Sequence, residues 1–158
     1  MSKTTFTVHK DKLEVVIERE FNAPREFIWK VVTDPEMVPK WWGPSKYETK
    51  VDKMDFRVGG EWRFLNIDKD GNAFAFHGVY KEIMPNEKVV DTFNFEPIGP
   101  GHELTETMRL TDNGNGKTKM STTTAYPNIQ DLEGMVNSGM EGGATETYER
   151  IAALVENK

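Results

Sequence analysis

The sequence predicts an α+β fold in which a curved antiparallel sheet of about six or seven strands packs against a long C-terminal helix. Three observations predict it. Residues 13–41 contain a β-branched segment and two short helical segments, six strand-like segments fill 47–126, and a helical apolar period runs over 131–156. An antiparallel sheet and an amphipathic helix bury their apolar faces against each other. We expect a space where the bent sheet and the helix diverge.

The N-terminal part of the chain predicts one strand followed by two short helices. The segment "LEVVIEREF" over 13–21 is short and β-branched, which is typical of a strand, and "FTVH" before it is positioned to pair with it through "KDK". Apolar residues then recur at helical spacing after Pro24 until an Asp-Pro pair ends that helix. A second short helix is predicted over 35–41, where a Gly-Pro pair stops it.

The central region predicts an antiparallel meander. Its strand-like segments are separated by turn-forming residues, and the Asp70-Gly71 pair is a strong hairpin signal. Closely spaced strands of this kind pair with their neighbours in antiparallel order. The six segments are "YETKVDKMD", "EWRFLNID", "AFAFHGVYKEI", "KVVDTFNFE", "LTETMRLTD" and "KTKMSTTTAY".

The C-terminal region predicts one continuous amphipathic helix from about Asp131 to Glu156. Apolar or small residues recur there with the helical period, over roughly 38 Å of helix. Each glycine in a helix interior costs about 1 kcal/mol relative to alanine. This helix contains Gly134, Gly139, Gly142 and Gly143. Either the backbone closely approaches a strand or kinks at these glycines, or the missing side chains leave volume for a ligand beside Met135 and Met140.

Length and composition limit the classes of function. The 158 residues fit one domain over 1–158. The absence of cysteine excludes disulfides, thiolate nucleophiles and cysteine zinc sites. A net charge of −6 disfavours binding to nucleic acid or to an anionic membrane surface. Because the sequence has neither a long apolar run nor a secretory signal, we expect no membrane span and a cytoplasmic location. Nothing in the sequence indicates an oligomeric state.

Motifs that would identify a metal, a cofactor or a covalent mechanism are absent from the sequence. His9, His77 and His102 lack the HxxxH and HExxH spacings of metal ligands, and His77 is expected to form a structural hydrogen bond. The sequence has no Walker loop, no GxSxG motif and no dinucleotide fingerprint. We therefore predict no cofactor, no metal site and no catalytic residue, which favours a non-enzymatic role.

Polar side chains interrupt strand faces that are otherwise apolar. Alternation places Glu106 on the same face as Leu104 and Met108, and therefore on the concave side of the sheet. Thr122 and Thr124 share a face in the same way. Either this end of the sheet is solvated, or the carboxylate pairs with a neighbour, or these residues orient a polar group of a ligand. Desolvation would raise the pKa of Glu106 and make it a candidate acid or base.

Aromatic residues at strand spacing also have two interpretations. Trp62 and Phe64 share one sheet face, as do Phe93 and Phe95, and Phe76 lies on a neighbouring segment. Such residues form a core more often than a ligand site, but they are equally suited to line a cavity.

The stretch "KWWGP" places two tryptophans at the junction between a helix and a strand. Trp41 and Trp42 are followed by a glycine and a proline that end the helix. We expect one indole to point inward over the mouth of a cavity and the other to be partly exposed. Core closure without a cavity is the alternative.

Four segments together resemble a known family. They are "VIEREFNAPREFIWKVVTDPEMVPKWWGP", "DFRVGGEWRF", "DGNAFAFHGVYKEIMPNEKVVDTF" and "GMEGGATETYERIAALV". Over residues 13–156 the chain closely resembles bacterial proteins of the activator of heat shock protein 90 ATPase homologue-like family, in the START-like, birch-pollen-allergen-like (SRPBCC) superfamily. The resemblance implies a helix-grip fold with a hydrophobic cavity between the long helix and the sheet. Superfamily relatives bind lipids, sterols, polyketides or hormones, and some are cyclases, so the resemblance assigns no catalytic residue here.

Three functional hypotheses follow. The first is a binding domain for a small hydrophobic or aromatic molecule. The second is an enzyme of cyclase or hydratase type, with Glu106 as acid or base and Thr122 or Thr124 holding the substrate. The third is a chaperone-associated stress-response protein that binds a protein partner through an apolar patch around Trp41 and Trp42. The predicted ligand-binding residues are Trp41, Trp42, Trp62, Phe64, Phe76, Phe93, Phe95, Glu106, Met108, Thr122, Thr124, Met135, Gly139, Met140 and Gly143.

Overall fold

A computed structural model describes residues 3–156 as one sheet with helices against it. Residues 1, 2, 157 and 158 of the predicted domain lie outside the described residues. The strands are β1 (Thr5–His9), β2 (Glu14–Phe21), β3 (Glu48–Met54), β4 (Glu61–Ile67), β5 (Ala73–Met84), β6 (Lys88–Phe95), β7 (Leu104–Gly114) and β8 (Lys117–Ala125). The α-helices are α1 (Arg25–Thr33), α2 (Val38–Trp41), α3 (Ile129–Asn137) and α4 (Met140–Val155).

The sheet is antiparallel, in the order β1-β2-β8-β7-β6-β5-β4-β3. This confirms the predicted α+β class. The six segments predicted between residues 47 and 126 are β3 to β8, and each pairs with its neighbour along the chain. The sheet has eight strands rather than six or seven, because β1 extends its edge with Phe6 opposite Ile17.

The C-terminal helical region is interrupted, which corrects the prediction of one continuous helix from Asp131. Helix α3 ends at Asn137, and α4 begins at Met140 and spans 16 residues. Gly139 between them has φ +92°, in the left-handed region that glycine adopts at no steric cost. The long helix is therefore α4, about 24 Å in length.

The core consists of two clusters that share the partly buried side chains of Trp29, Trp41, Phe93 and Met108. The larger one joins the sheet side around β2 and β8 to α1, α3 and α4, and its fully buried members include Phe21, Ile28, Leu132 and Ile151. The smaller one lies beneath α2, where Val38 packs against side chains of β4, β5 and β6. Helix α4 contacts β2, α1 and α2. Apolar burial at about 25 cal/mol per Å² fixes the helices on this face of the sheet.

Candidate ligand-binding cavity

A cavity of about 370 Å³ lies between the two core clusters. Its wall combines residues of the larger cluster, such as Ile17 and Ile151, with residues of the smaller one, such as Val38 and Phe64. Helix α4 contributes Met140, Gly143, Ala144, Thr147, Tyr148 and Ile151. Side chains of both the helix and the sheet therefore line this space.

Twelve of the fifteen predicted residues lie on the wall of this cavity: Trp41, Trp42, Trp62, Phe64, Phe76, Phe93, Glu106, Met108, Thr122, Thr124, Met140 and Gly143. Three do not. Phe95 stacks on Phe76 with 4.9 Å between ring centroids and lines a separate, smaller hollow. Met135 packs from α3 against the larger core cluster, and Gly139 forms the break before α4.

The tryptophan pair forms one side of the cavity. Trp41 Nε1 donates a hydrogen bond to the Val31 carbonyl at 3.0 Å, which fixes its indole against α1. The Trp42 ring meets Phe64 and Phe76 edge-on, with centroids 5.2 and 5.0 Å apart. Both side chains are partly buried and both line the cavity. The pair therefore forms one wall of the cavity while each ring keeps some exposed surface.

Helix α4 holds the loop that follows this pair. The Arg150 guanidinium donates to the carbonyl oxygens of Gly43 at 2.6 Å, Pro39 at 3.4 Å and Trp42 at 3.5 Å. The Glu146 carboxylate accepts hydrogen bonds from both the backbone nitrogen and the hydroxyl of Ser45. The same helix that forms the cavity wall thus anchors the loop that closes it.

Two glycines in the first turn of α4 leave space instead of permitting close backbone contact. A Cβ atom added at Gly142 or at Gly143 would have no atom outside the local helix backbone within 4 Å. Close approach to a strand therefore does not account for either glycine. Gly142 is exposed, whereas Gly143 lines the cavity. The missing side chain at Gly143 thus leaves part of the cavity volume open.

The polar part of the wall is built by strand register. Asp91 on β6 lies opposite Glu106 on β7, and Glu106 lies opposite Thr124 on β8. On the other side, Tyr80 on β5 lies opposite Asp91. These four side chains form a row across four strands, and all of them line the cavity. Asp91 and Glu106 each retain some accessible surface, which faces this space.

The surroundings of Asp91 and Glu106 raise the pKa of both carboxyl groups. Burial raises the pKa of Asp91 well above its usual range, and the Glu106 charge and a hydrogen bond to Glu106 raise it further. Burial also raises the pKa of Glu106, to about 7, although the hydrogen bond from Asp91 opposes that rise. The pair therefore holds a proton to higher pH than two free carboxyl groups would.

Tyrosine hydroxyls complete the polar surroundings of this pair. Tyr148 and Thr122 share a hydrogen bond of 2.5 Å on the cavity wall. Burial raises the pKa of the Tyr80, Tyr126 and Tyr148 hydroxyls, and the nearby carboxylates add to this effect. All three tyrosines are neutral at physiological pH. The wall therefore offers hydroxyl and carboxyl groups in an apolar setting.

Comparison with known proteins identifies the family. A model for the Activator of Hsp90 ATPase homolog 1-like protein family matches residues 22–156. The chain belongs to this family. Among curated proteins, none matches the chain.

Several solved structures of bacterial proteins have the same fold as this chain. A protein of Arthrobacter aurescens superposes with a TM-score of 0.89 at 22% identity, covering 98% of this chain and 92% of the other. Protein Ms6760 of Mycobacterium smegmatis gives 0.82 at 26% identity, covering 96% of both chains. The AHSA1 protein of Silicibacter pomeroyi gives 0.73 at 22% identity, covering 89% and 95%. At such identities the likeness establishes the fold.

Sequence reasoning found Glu106 in this AHSA1-like chain but missed its partner. Asp91 alternates with Val89 and Phe93 along β6, so it is a polar residue on an apolar face, the same signal that identified Glu106. Tyr80 and Tyr148 were also missed, because tyrosine at strand or helix spacing resembles ordinary core. The strand register that brings Asp91 to Glu106 became visible only in the folded sheet.

The histidines of the AHSA1-like chain lie away from the cavity. His77 Nδ1 lies 2.9 Å from the Glu96 carboxylate, and His102 Nδ1 lies 2.9 Å from that of Asp131. Within residues 3–156, no group of three or more His, Cys, Asp or Glu side chains is arranged to hold a metal ion. None of the helices in that range is long and apolar enough to cross a bilayer.

Replacing Arg150 with methionine should loosen the tryptophan loop of this AHSA1-like protein. Methionine keeps much of the apolar stem but removes the hydrogen bonds to the carbonyls of Pro39, Trp42 and Gly43. We expect the free energy of unfolding to fall by about 2 kcal/mol, since hydrogen bonds from charged groups are the stronger ones. Acrylamide should also quench tryptophan fluorescence more efficiently. The neighbouring exposed Glu149→Gln is the control, and equal quenching in both variants would contradict the anchoring role.

Proposed function

We propose that this AHSA1-like protein binds a small hydrophobic molecule without covalent chemistry, in the cavity between α4 and the sheet. The observation that carries this proposal is Gly143, whose missing side chain keeps part of a 370 Å³ cavity open at the cost of helix propensity. A volume in this range is typical of small-molecule sites, which are mostly apolar with a few polar groups. The aromatic wall and the short polar row have that composition.

A small ligand is favoured over a protein partner by the distribution of apolar surface. Trp41 and Trp42 both line the cavity, and both are partly buried. The exposed large hydrophobic side chains among the described residues are Val58, Met84 and Ile98, which lie on separate turns and strand ends. Scattered apolar residues of this kind do not form a docking patch.

Filling the cavity from Gly143 provides the direct test. N-phenyl-1-naphthylamine, a neutral probe whose fluorescence rises in apolar surroundings, should bind the unmodified protein. Gly143→Leu should project a side chain into the cavity and weaken probe binding by about tenfold or more, since it competes for the same volume. The matched variant Gly142→Leu gains the same helix propensity on an exposed position and should bind the probe as before.

The two variants also separate ligand binding from stability. Both should be as stable as the unmodified protein or more stable, because each replaces a glycine of α4 with a residue of higher helix propensity. A probe that binds Gly143→Leu and Gly142→Leu equally well would place its site elsewhere. A probe that fails to bind the unmodified protein would contradict the proposal.

An enzyme of cyclase or hydratase type is the second candidate, and the Asp91–Glu106 pair favours it. A carboxyl that faces the cavity with a pKa of about 7 is suited to proton transfer near neutral pH. In this case Glu106→Gln should abolish turnover of a bound substrate while leaving probe binding intact. Unchanged turnover in that variant would remove Glu106 as the acid or base.

We further propose a single domain over residues 1–158 and a cytoplasmic location. The absence of cysteine fits a reducing compartment. Fractionation of cells that produce the chain is the test of the location.

A further inference from the structure

The polar part of the cavity has no positive counterpart in the described protein. Asp91 and Glu106 lie side by side on the wall. No lysine, arginine or histidine within residues 3–156 lines the cavity. An ionised carboxylate in an apolar setting is costly unless a cation or several donors pair with it. The described residues therefore place no cationic side chain on the cavity wall to pair with these two carboxyl groups.

Other features of the wall also favour a positively charged guest. The rings of Trp42, Phe64, Phe76 and Phe93 line the same cavity, and aromatic faces attract ammonium groups. The aromatic part of the wall can therefore stabilise an ammonium group that lies beside the carboxyl pair.

We propose that the cavity selects hydrophobic amines, whose ammonium group pairs with Asp91 and Glu106 while the apolar body lies against the aromatic wall. This inference rests on the proposed function and specifies the ligand class of the same site. A neutral hydrocarbon would provide no counter-charge for the carboxyl pair. A carboxylate ligand would add a second negative charge beside it, which is unfavourable at low dielectric.

The protonation of the pair suits a cationic ligand. Because the pKa of Glu106 lies at about 7, this group ionises at little cost when an ammonium group arrives. The raised pKa of Asp91 favours its protonated form beside an ionised Glu106. The other titratable groups near the pair are Tyr80, Tyr126 and Tyr148, which stay neutral. One negative charge therefore faces one positive charge.

The test compares three probes that share one apolar body. Isothermal titration calorimetry near neutral pH would measure binding of 2-naphthylmethylamine, 2-naphthalenemethanol and 2-naphthoate to the unmodified protein. The same titrations would use the double variant Asp91→Asn/Glu106→Gln, which keeps shape and hydrogen bonding but removes the ionisable groups. The control is Glu36→Gln/Glu87→Gln, two exposed acids that do not line the cavity, which removes the same number of carboxyls.

We expect the unmodified protein to bind the amine about tenfold more tightly than the alcohol, with the carboxylate weakest. The preference for the amine should vanish in Asp91→Asn/Glu106→Gln and persist in Glu36→Gln/Glu87→Gln. Equal binding of amine and alcohol by the unmodified protein would overturn the inference and leave the binding function standing. A preference that survives in the cavity variant would overturn it as well. If neither these probes nor N-phenyl-1-naphthylamine binds, the proposed function fails together with the inference.

Discussion

Gly78→Ala is expected to lower the free energy of unfolding by about 3 kcal/mol, the scale of severe overpacking. A Cβ atom at this position of β5 would lie 1.8 Å from the Thr92 carbonyl oxygen and 2.7 Å from Trp62 Nε1. The carbonyl belongs to the paired strand β6, so it cannot retreat without disturbing the sheet. The urea midpoint should therefore fall strongly, with an unchanged slope if unfolding stays two-state.

Gly134→Ala is the matched control for this substitution. It makes the same chemical change inside α3, where an added Cβ atom has no atom outside the local helix backbone within 4 Å. It should raise stability by up to about 1 kcal/mol through helix propensity. Both variants reduce the freedom of the unfolded chain equally. A fall of similar size in both would show that glycine removal itself, not contact with Thr92, is responsible.

The fold was predictable from the sequence because its elements have strong local signals. Alternation and turn residues located β3 to β8, and the Asp70-Gly71 hairpin appears with Gly71 at φ +87°. The sequence left open a kink at one of the helix glycines but did not locate the break at Gly139, because the apolar period continues across it. The same limit applies to position 78, where glycine is required by contact with Thr92, fourteen residues later on the paired strand.

The cavity was only partly predictable, because its geometry depends on strand register. Alternation placed Glu106 on the inner face of β7 without any knowledge of β6. The identity of its neighbour depends on which residue of β6 lies opposite, and a slip of one residue would replace Asp91 with an outward-facing side chain. Phe95 shows the converse, since correct alternation still placed it beyond the end of the cavity.

The protonation of Asp91 and Glu106 affects both the charge of the cavity wall and the free energy of unfolding. A carboxyl whose pKa rises on folding binds its proton more tightly in the folded state. The stability that it contributes is complete below its unfolded pKa and is lost as the pH rises through the folded value. For Glu106 the window runs from about 4.5 to about 7. Asp91, whose pKa is also raised, extends the loss to higher pH.

Against this background, the unmodified protein should lose stability relative to Asp91→Asn/Glu106→Gln as the pH rises. Between about pH 5 and about pH 8, the difference in free energy of unfolding should change by on the order of 3 kcal/mol in favour of the variant. Urea unfolding of both proteins across this range measures it. Groups with lowered pKa values, such as Glu96, are common to both proteins and cancel in the difference.

The buried tyrosines stay neutral throughout the range, so they add no slope of their own. Glu36→Gln/Glu87→Gln serves again as the control and should run parallel to the unmodified protein. Parallel curves for the cavity variant would mean that both carboxyls ionise as freely in the folded chain as in the unfolded one. Water or a counter-charge would then already stabilise the two ionised carboxylates, and the cavity would not favour an amine over an alcohol. A diverging curve would show that the folded protein holds a proton at this site that a cationic ligand can replace.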